Sequence, residues 1–208
     1  MLLYAITQRS LFPGDENARQ DALIQLARTL ARTGISYLQI REKDLPPAQL
    51  KSLATAVVEA AHPESTGMKV LLNGPAAIAF EAGCQGIHLA GDVPAEAAQK
   101  ARSLFAKAGR HCTISAACHS IEEIRSRVPL ADLLLFAPVF EKVTTRNVVS
   151  GVGLSALSRS VAVAQERPVF ALGGVTATNA PECKAAGAQG IAAIRLFLTP
   201  EWIPLLDE

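Results

Sequence analysis

The sequence lacks a large net charge and a long apolar run, and each absence excludes a class of protein. Its 208 residues include 20 basic and 19 acidic side chains, a formal net charge of +1. This balance, spread without long runs of one sign, argues against a nucleic-acid or membrane-surface partner. No apolar run approaches the ~20 residues of a membrane span, and the opening MLLYAITQRS does not resemble a secretory signal. We expect a cytoplasmic protein.

Paired cysteines are also lacking. The four cysteines, Cys84, Cys112, Cys118 and Cys183, form no CxxC motif and lie in apolar or helical segments. This is typical of reduced core thiols, and it predicts neither a disulfide framework nor a zinc site. Half of the residues are hydrophobic, and no linker-like stretch divides the chain. We therefore expect one domain spanning residues 1–208 with a sizeable core.

Short aliphatic runs alternate with Ala-rich amphipathic stretches, which is typical of successive βα units around a parallel sheet. The predicted strands are LLYAIT, YLQIRE, KVLLN, GIHLA, CTISAAC, DLLLFAPVF, PVFALGG and GIAAIRLF. Three joints repeat a helix that ends in Gly34, Gly83 or Gly187, the position at which Gly takes the left-handed conformation. Eight units in 208 residues predict an α/β fold, a (β/α)8 TIM barrel. An open doubly wound sheet would have the same pattern.

In a barrel of this type, the functional site lies where the strands end. The stretch YLQIREKD, residues 37–44, would place Gln39, Arg41 and Lys43 on one face of an extended segment and Glu42 on the other. The two cations then enter the barrel mouth and bind an anion. The alternative is a solvated strand end in which they pair with Glu42 and Asp44.

A second anion site is predicted after the last two strands. The pair Gly173–Gly174 would let backbone N–H groups approach a phosphate, and Arg195 would supply a counter-charge. A tight turn at Gly173–Gly174 and a solvated Arg195 would explain the same residues.

Six blocks carry a resemblance to a known family: LQIREKD, LLNG with AAIAFEAGCQGIHLAGD, CHSIEEI, FAPVF, ALGGVTATN and GIAAIRLF. In this order and spacing they resemble the thiamine phosphate synthase family, which includes thiazole tautomerases and has a (β/α)8 fold. In the synthases, a pyrimidine diphosphate loses pyrophosphate with the help of Mg²⁺, and a thiazole phosphate nitrogen captures the pyrimidine. The resemblance implies that the diphosphate binds Gln39, Arg41, Lys43, Asn73 and Thr144. It places the thiazole phosphate at Gly173, Gly174, Ile194 and Arg195, where Arg195 replaces the usual small residue.

The chain departs from the synthase pattern at several of these positions. Gly74 stands where a synthase has a metal-binding Asp, which leaves Asp92 as the candidate metal ligand, one residue closer than usual. Ala117 replaces a Ser that serves the diphosphate. Thr145 stands in the place of a Lys, with Arg146 next to it.

The tautomerase branch of the family accounts for several of these departures. Its members share Asn73–Gly74 and Phe140–Glu141 and use the histidine at position 119 as a general acid and base, so His119 and Glu141 are the catalytic candidates. His119 is equally explained as a packed barrel residue, and Gln39 with Lys43 keeps the synthase form.

The interpretation leans slightly to a thiazole tautomerase, with a thiamine phosphate synthase as the alternative and a non-catalytic binder of thiazole or thiamine phosphate as the third. Mg²⁺ is expected for a synthase and no cofactor for a tautomerase. The small-molecule partners would be thiazole phosphate and, for a synthase, pyrimidine diphosphate. The sequence leaves open whether the chain forms a homo-oligomer.

Overall fold

The computed structural model describes residues 1–64, 67–91, 93–143 and 148–206. The strands in these ranges are β1 (Leu2–Ile6), β2 (Tyr37–Ile40), β3 (Lys69–Leu72), β4 (Gly86–Leu89), β5 (Thr113–Cys118), β6 (Leu133–Phe136), β7 (Lys142–Val143), β8 (Val148–Val149), β9 (Val169–Leu172) and β10 (Gly190–Ala193). The α-helices are α1 (Glu16–Arg32), α2 (Pro47–Ala61), α3 (Ala76–Glu81), α4 (Glu96–Ala106), α5 (Ile121–Arg127), α6 (Gly153–Val163) and α7 (Ala180–Ala185). Short 3₁₀ helices lie at Arg9–Leu11, His62–Glu64, Arg195–Leu198 and Pro200–Leu206.

Eight strands close into a barrel in the order β1, β10, β9, β6, β5, β4, β3, β2, while β7 and β8 form a separate antiparallel pair. The barrel strands run parallel, with Ile40 of β2 beside Leu72 of β3 and Cys118 of β5 beside Phe136 of β6. Parallel strands are joined by helices because a crossover connection is needed between them. The predicted (β/α)8 barrel is confirmed.

The chain divides into two compact units. One comprises Met1–Tyr4, Leu89–Ala95 and Ile114–Glu208, and the other comprises Ala5–His88 and Glu96–Thr113. The expectation of a single domain stays a prediction. In the described part of the chain, no helix combines the length and apolar character that crossing a membrane requires.

The repeated joints of the sequence have a structural counterpart. Gly34, Gly83 and Gly187 have φ of +82°, +81° and +96°, which confirms the predicted left-handed helix ends. Gln85 and Gln189 follow two residues after the last two of these glycines and make equivalent bonds. Gln85 Oε1 accepts from the Val70 N–H at 2.8 Å and Gln189 Oε1 accepts from the Val169 N–H at 2.7 Å. Each amide nitrogen donates back to the carbonyl of the glycine two residues earlier.

The strands end earlier than the apolar pattern predicts. YLQIRE, DLLLFAPVF and GIAAIRLF are strand only as far as Ile40, Phe136 and Ala193. The apolar pattern continues past these points because the following loops also bury side chains, as Leu196 and Phe197 do in their 3₁₀ turn. The polar residues at these positions therefore lie in loops.

Candidate active site

The larger of the predicted anion sites begins with a buried amide at the end of β2. Gln39 is 1% exposed, and its Nε2 has no hydrogen-bond partner among the described residues. A buried N–H donor without an acceptor costs free energy, so such a group is uncommon outside functional sites. Gln39 thus holds a donor that an acceptor on a ligand would satisfy.

Glu42 is also buried, 3% exposed, and its carboxylate accepts bonds from the segment that follows β1. Oε1 accepts from the Thr7 hydroxyl at 2.6 Å, and both oxygens accept from the Arg9 backbone N–H at 3.0 and 3.1 Å. Oε2 also accepts from Arg9 Nη1 at 3.0 Å. Thr7 Oγ1 accepts in turn from the Arg41 backbone N–H at 3.0 Å. The loop after β2 is therefore held to the loop after β1 by one buried carboxylate.

Asp44 is the second carboxylate on this loop, and it forms a two-bond fork with the same guanidinium. Arg9 Nη1 and Nη2 donate to Asp44 Oδ1 and Oδ2 at 2.8 and 2.6 Å, and Arg9 Nε donates to Glu16 at 2.6 Å. Although the Asp44 side chain is 71% exposed, the hydrogen bond from Arg9 lowers its pKa below the usual value. We call Thr7, Arg9, Glu42 and Asp44 the Arg9 cluster.

The two cations that alternate with these acids along the chain, Arg41 and Lys43, do not pair with them. Arg41 is partly exposed and Lys43 is exposed. Across the described ranges, neither side chain makes an ion pair or hydrogen bond, and both acids on the loop pair with Arg9. The two acids are thus held by Arg9 through side-chain bonds in a loop, and the strand whose alternation predicted this separation ends at Ile40.

Asn73 lies next to this loop in the same unit. Its backbone N–H donates to the Ile40 carbonyl at 2.9 Å, so it follows β3 at the level at which Arg41 follows β2. Gly74 comes next, and a Cβ placed there would contact side chains of Leu50 and Leu72 at 3.3 Å. A carboxylate is absent from this position, as the sequence indicated.

His119, in the other unit, is exposed and oriented through its ring. Nδ1 lies 2.8 Å from the Ala137 carbonyl oxygen. Because a carbonyl only accepts, Nδ1 carries the proton in the neutral ring and Nε2 is left as the acceptor. A Cβ placed on Gly91 would lie 3.7 Å from both Cδ2 and Nε2, so this edge of the ring lies by the loop after β4. The His119 N–H donates to Glu123 Oε2 at 2.7 Å, which fixes the backbone.

The glycine pair after β9 packs tightly against the loop after β6. Gly173 and Gly174 have φ of +91° and +67°, and a Cβ on Gly174 would lie 2.3 Å from the Glu141 carbonyl oxygen. Asn179 Nδ2 donates to the Gly174 carbonyl at 3.0 Å, and Asn179 Oδ1 accepts from the Thr176 N–H at 2.8 Å. These contacts demand both glycines, as the predicted tight turn does. They also bring the exposed Glu141 beside Gly174.

The remaining predicted residues divide into two groups. Ile194 ends the stretch after β10 and Arg195 opens a 3₁₀ helix with an exposed side chain that already has an interaction. Asp92 and Thr144 lie outside the described residues, as do Thr145 and Arg146. Arg127 Nη2 donates to the Gly91 and Val93 carbonyls, both at 3.0 Å, on either side of position 92.

Sequence reasoning missed Arg9 and Thr7. The only signal in the sequence is a cation two residues after the predicted first strand LLYAIT, with nothing to show that it pairs with acids more than thirty residues later. The catalytic and binding roles of all these residues stay predictions.

Comparisons with known proteins show the family to which the chain belongs. The family model for thiamine monophosphate synthase matches residues 3–197. A relative from Geobacter sulfurreducens, which carries a provisional thiamine-phosphate synthase name, is 34% identical over 94% of this chain and 86% of its own. A thiamine-phosphate synthase from Methanoculleus marisnigri is 31% identical over 92% and 85% of the two chains.

A solved structure has the same fold. Thiamine phosphate pyrophosphorylase from Pyrococcus furiosus superimposes with a TM-score of 0.75 at 22% identity, and the match covers 98% of this chain and 90% of that one. With the family model covering nearly the whole barrel and relatives above 30% identity, the chain belongs to the thiamine monophosphate synthase family.

Proposed function

We propose that this protein is a thiamine phosphate synthase, which joins hydroxymethylpyrimidine diphosphate to thiazole phosphate and releases pyrophosphate. The sequence slightly favoured a thiazole tautomerase, but the relatives carry the synthase name and favour the alternative, a thiamine phosphate synthase. The observation that carries the proposal is the unsatisfied donor set after β2, in which Gln39 Nε2 is buried without a partner and Arg41 and Lys43 have no acidic partner among the described residues.

Each part of this donor set has a use in the reaction. The carbon–oxygen bond to the diphosphate breaks, pyrophosphate leaves with the electron pair, and the thiazole nitrogen forms the new carbon–nitrogen bond. Arg41 and Lys43 stabilise the negative charge that grows on the leaving pyrophosphate. Gln39 and Asn73 orient the pyrimidine diphosphate by hydrogen bonds. The loop containing Gly173 and Gly174 holds the thiazole phosphate through backbone N–H groups.

The residues present make a poor magnesium cage. The described part of the chain contains no cluster of three or more His, Cys, Asp or Glu side chains placed to hold a metal, and Gly74 has no side-chain oxygen to offer. Asp92 is the one carboxylate that the sequence assigns to a metal. Because Mg²⁺ keeps several waters and often binds through one carboxylate plus substrate phosphates, it would come with the diphosphate. We assign no step to it.

The test is product formation by the purified protein. Pyrimidine diphosphate, thiazole phosphate and Mg²⁺ are mixed with the protein, and thiamine phosphate is quantified after oxidation to its fluorescent thiochrome. We expect turnover that falls about 10- to 100-fold in Arg41→Gln and in Lys43→Gln, because each loses a charged hydrogen bond to the leaving group. Lys100→Gln, at an exposed position on α4, is the matched control and should keep wild-type turnover. No thiamine phosphate above the protein-free blank would rule the proposal out.

A second candidate, thiazole tautomerase, is favoured by the ring of His119. Its Nδ1–H is held by the Ala137 carbonyl, which leaves Nε2 as a base, and the reaction needs one such group and no metal. If this activity is present, the absorbance change on a non-aromatic thiazole carboxylate phosphate should slow by about 100-fold or more in His119→Asn. Asn keeps an N–H near Nδ1 but has no base at Nε2. Undiminished turnover in this variant would remove His119 from the mechanism.

The synthase and tautomerase assays, together with a binding measurement, test the third alternative, a non-catalytic binder. Binding of thiazole phosphate by the wild-type protein, with neither product formed, would identify a non-catalytic binder.

A further inference from the structure

The most heavily paired side chain in the unit Ala5–His88 with Glu96–Thr113 lies outside the predicted site. Arg9 is 6% exposed and its guanidinium donates to Glu16, Glu42 and Asp44. A buried guanidinium is held only by such complete pairing, because an unpaired buried charge is costly. None of the predicted binding residues that the structure describes is among these side-chain partners.

The partners of Arg9 alternate along the chain with the two cations of the anion site. Arg41, Glu42, Lys43 and Asp44 are consecutive, so each acid is next in sequence to a cation. Arg9 takes both acids: Nη1 reaches Glu42 and Asp44, and Nη2 closes the fork on Asp44. Both carboxylates would otherwise be the nearest counter-ions in the loop for Arg41 and Lys43.

We propose that Arg9 is a positioning residue that withdraws Glu42 and Asp44 from Arg41 and Lys43, and so keeps both cations free for the anionic group of the substrate. The inference rests on the proposed function in one respect, that Arg41 and Lys43 bind a phosphorylated substrate. Arg9 itself touches no substrate. It acts by electrostatic competition for the carboxylates, and by holding the loop after β2 to the segment after β1 through its own backbone N–H.

A purely structural role for Arg9 makes a different prediction from this one. If Arg9 only stabilises the fold, removing the two carboxylates as well would not restore anion binding. If Arg9 competes for the carboxylates, their removal makes Arg9 dispensable. Anion affinity in combined variants therefore separates the two roles.

The experiment is calorimetric titration of inorganic pyrophosphate into the full-length protein and its variants at fixed ionic strength. We expect Arg9→Met to weaken pyrophosphate binding about tenfold or more, because the released acids pair with Arg41 and Lys43 and lower the local positive potential. The triple variant Arg9→Met/Glu42→Gln/Asp44→Asn should return to within about threefold of wild type on the same electrostatic grounds. Equally weak binding in the single and triple variants, both folded by circular dichroism, would overturn the proposal.

Two less disruptive variants, Arg9→Lys and Arg9→Lys/Asp44→Asn, provide the test if Arg9→Met does not fold. Arg9→Lys keeps the positive charge but cannot form the two-bond fork with Asp44, so it holds the two carboxylates less completely. It should weaken pyrophosphate binding by a smaller factor than Arg9→Met does. Arg9→Lys/Asp44→Asn should restore it, and failure to restore it contradicts the proposal. Arg32→Met is the matched control: Arg32 makes an exposed fork with Glu64 at 2.9 and 2.7 Å, and its loss should leave pyrophosphate affinity unchanged.

Pyrophosphate binding also separates this inference from the proposed activity. If the wild type binds pyrophosphate through Arg41 and Lys43 yet forms no thiamine phosphate, the synthase proposal fails and the role of Arg9 stands. If pyrophosphate does not bind, or binds equally well to Arg41→Gln/Lys43→Gln, there is no anion site for Arg9 to keep open and the inference fails.

Discussion

Gly86→Ala should lower the stability and the soluble yield of the protein severely. Gly86 is the first residue of β4, and a Cβ placed on it would lie 1.8 Å from the Thr113 carbonyl oxygen and 2.6 Å from the carbonyl carbon. These atoms belong to the backbone of β5 and have no side-chain freedom by which to move away. The strands must separate or shift, and we expect a loss of about 4 kcal/mol or more in the free energy of unfolding.

The measurement is urea unfolding followed by circular dichroism, together with the soluble yield. Gly91→Ala is the matched control, since a Cβ there would meet nothing closer than 3.7 Å, an ordinary contact. Its free energy of unfolding should stay within about 0.5 kcal/mol of wild type. A Gly86→Ala protein with wild-type stability would show that β4 and β5 are not held as closely as described.

Gln39→Met should move activity and stability in opposite directions. The variant loses the donor that we assign to the pyrimidine diphosphate, so kcat/KM should fall about 10- to 100-fold, the equivalent of about 1–3 kcal/mol for a buried hydrogen bond. In the free protein the same Nε2 is buried without a partner among the described residues, so an apolar side chain of similar shape removes a penalty. The melting temperature should therefore be unchanged or raised.

Gln85→Met is the control for this substitution, because Gln85 uses both ends of its amide. Its Oε1 accepts from the Val70 N–H and its Nε2 donates to the Gly83 carbonyl. Losing them should cost about 1–3 kcal/mol of stability, since a backbone donor is left unpaired. A Gln39→Met enzyme that is destabilised like Gln85→Met, or that keeps full activity, would show that Gln39 has a structural role.

The sequence predicted the barrel well because its signals are local. Apolar periodicity and the glycines at helix ends depend on neighbouring residues, and all eight barrel strands lie within the predicted runs. The strand ends were less accurate, because buried loop residues such as Val139 extend the apolar pattern. The apolar pattern also does not show helix capping: α1 begins at Glu16, where Asp15 accepts from the Ala18 N–H.

The sequence named candidate residues for the site but not the bonds that hold them in place. Gln39 lies in β2, Arg41 and Lys43 follow it, and Asn73 follows the neighbouring β3 in the same unit, while their binding roles stay predictions. The periodicity of the sequence does not show what holds the loop after β2, because Arg9 pairs with acids 33 and 35 residues away. Long-range ion pairs have no period in sequence, and a single arginine in a polar stretch looks like any surface residue.

The bonds of Gln189 bear on the order in which the barrel forms. Its side chain joins Val169 across 20 residues, and the equivalent bond of Gln85 spans 15, so each closes a short loop at small entropic cost. The Gln189 backbone carbonyl instead accepts from the Leu2 N–H at 3.0 Å, which joins the start of β1, the first barrel strand, to the start of β10, the last one. Parallel barrels usually fold slowly, because many of their contacts join residues far apart in sequence. Here the local contacts of Gln85 and Gln189 can form before the bond between Leu2 and Gln189. One residue thus takes part in both a local contact and a contact that spans most of the chain.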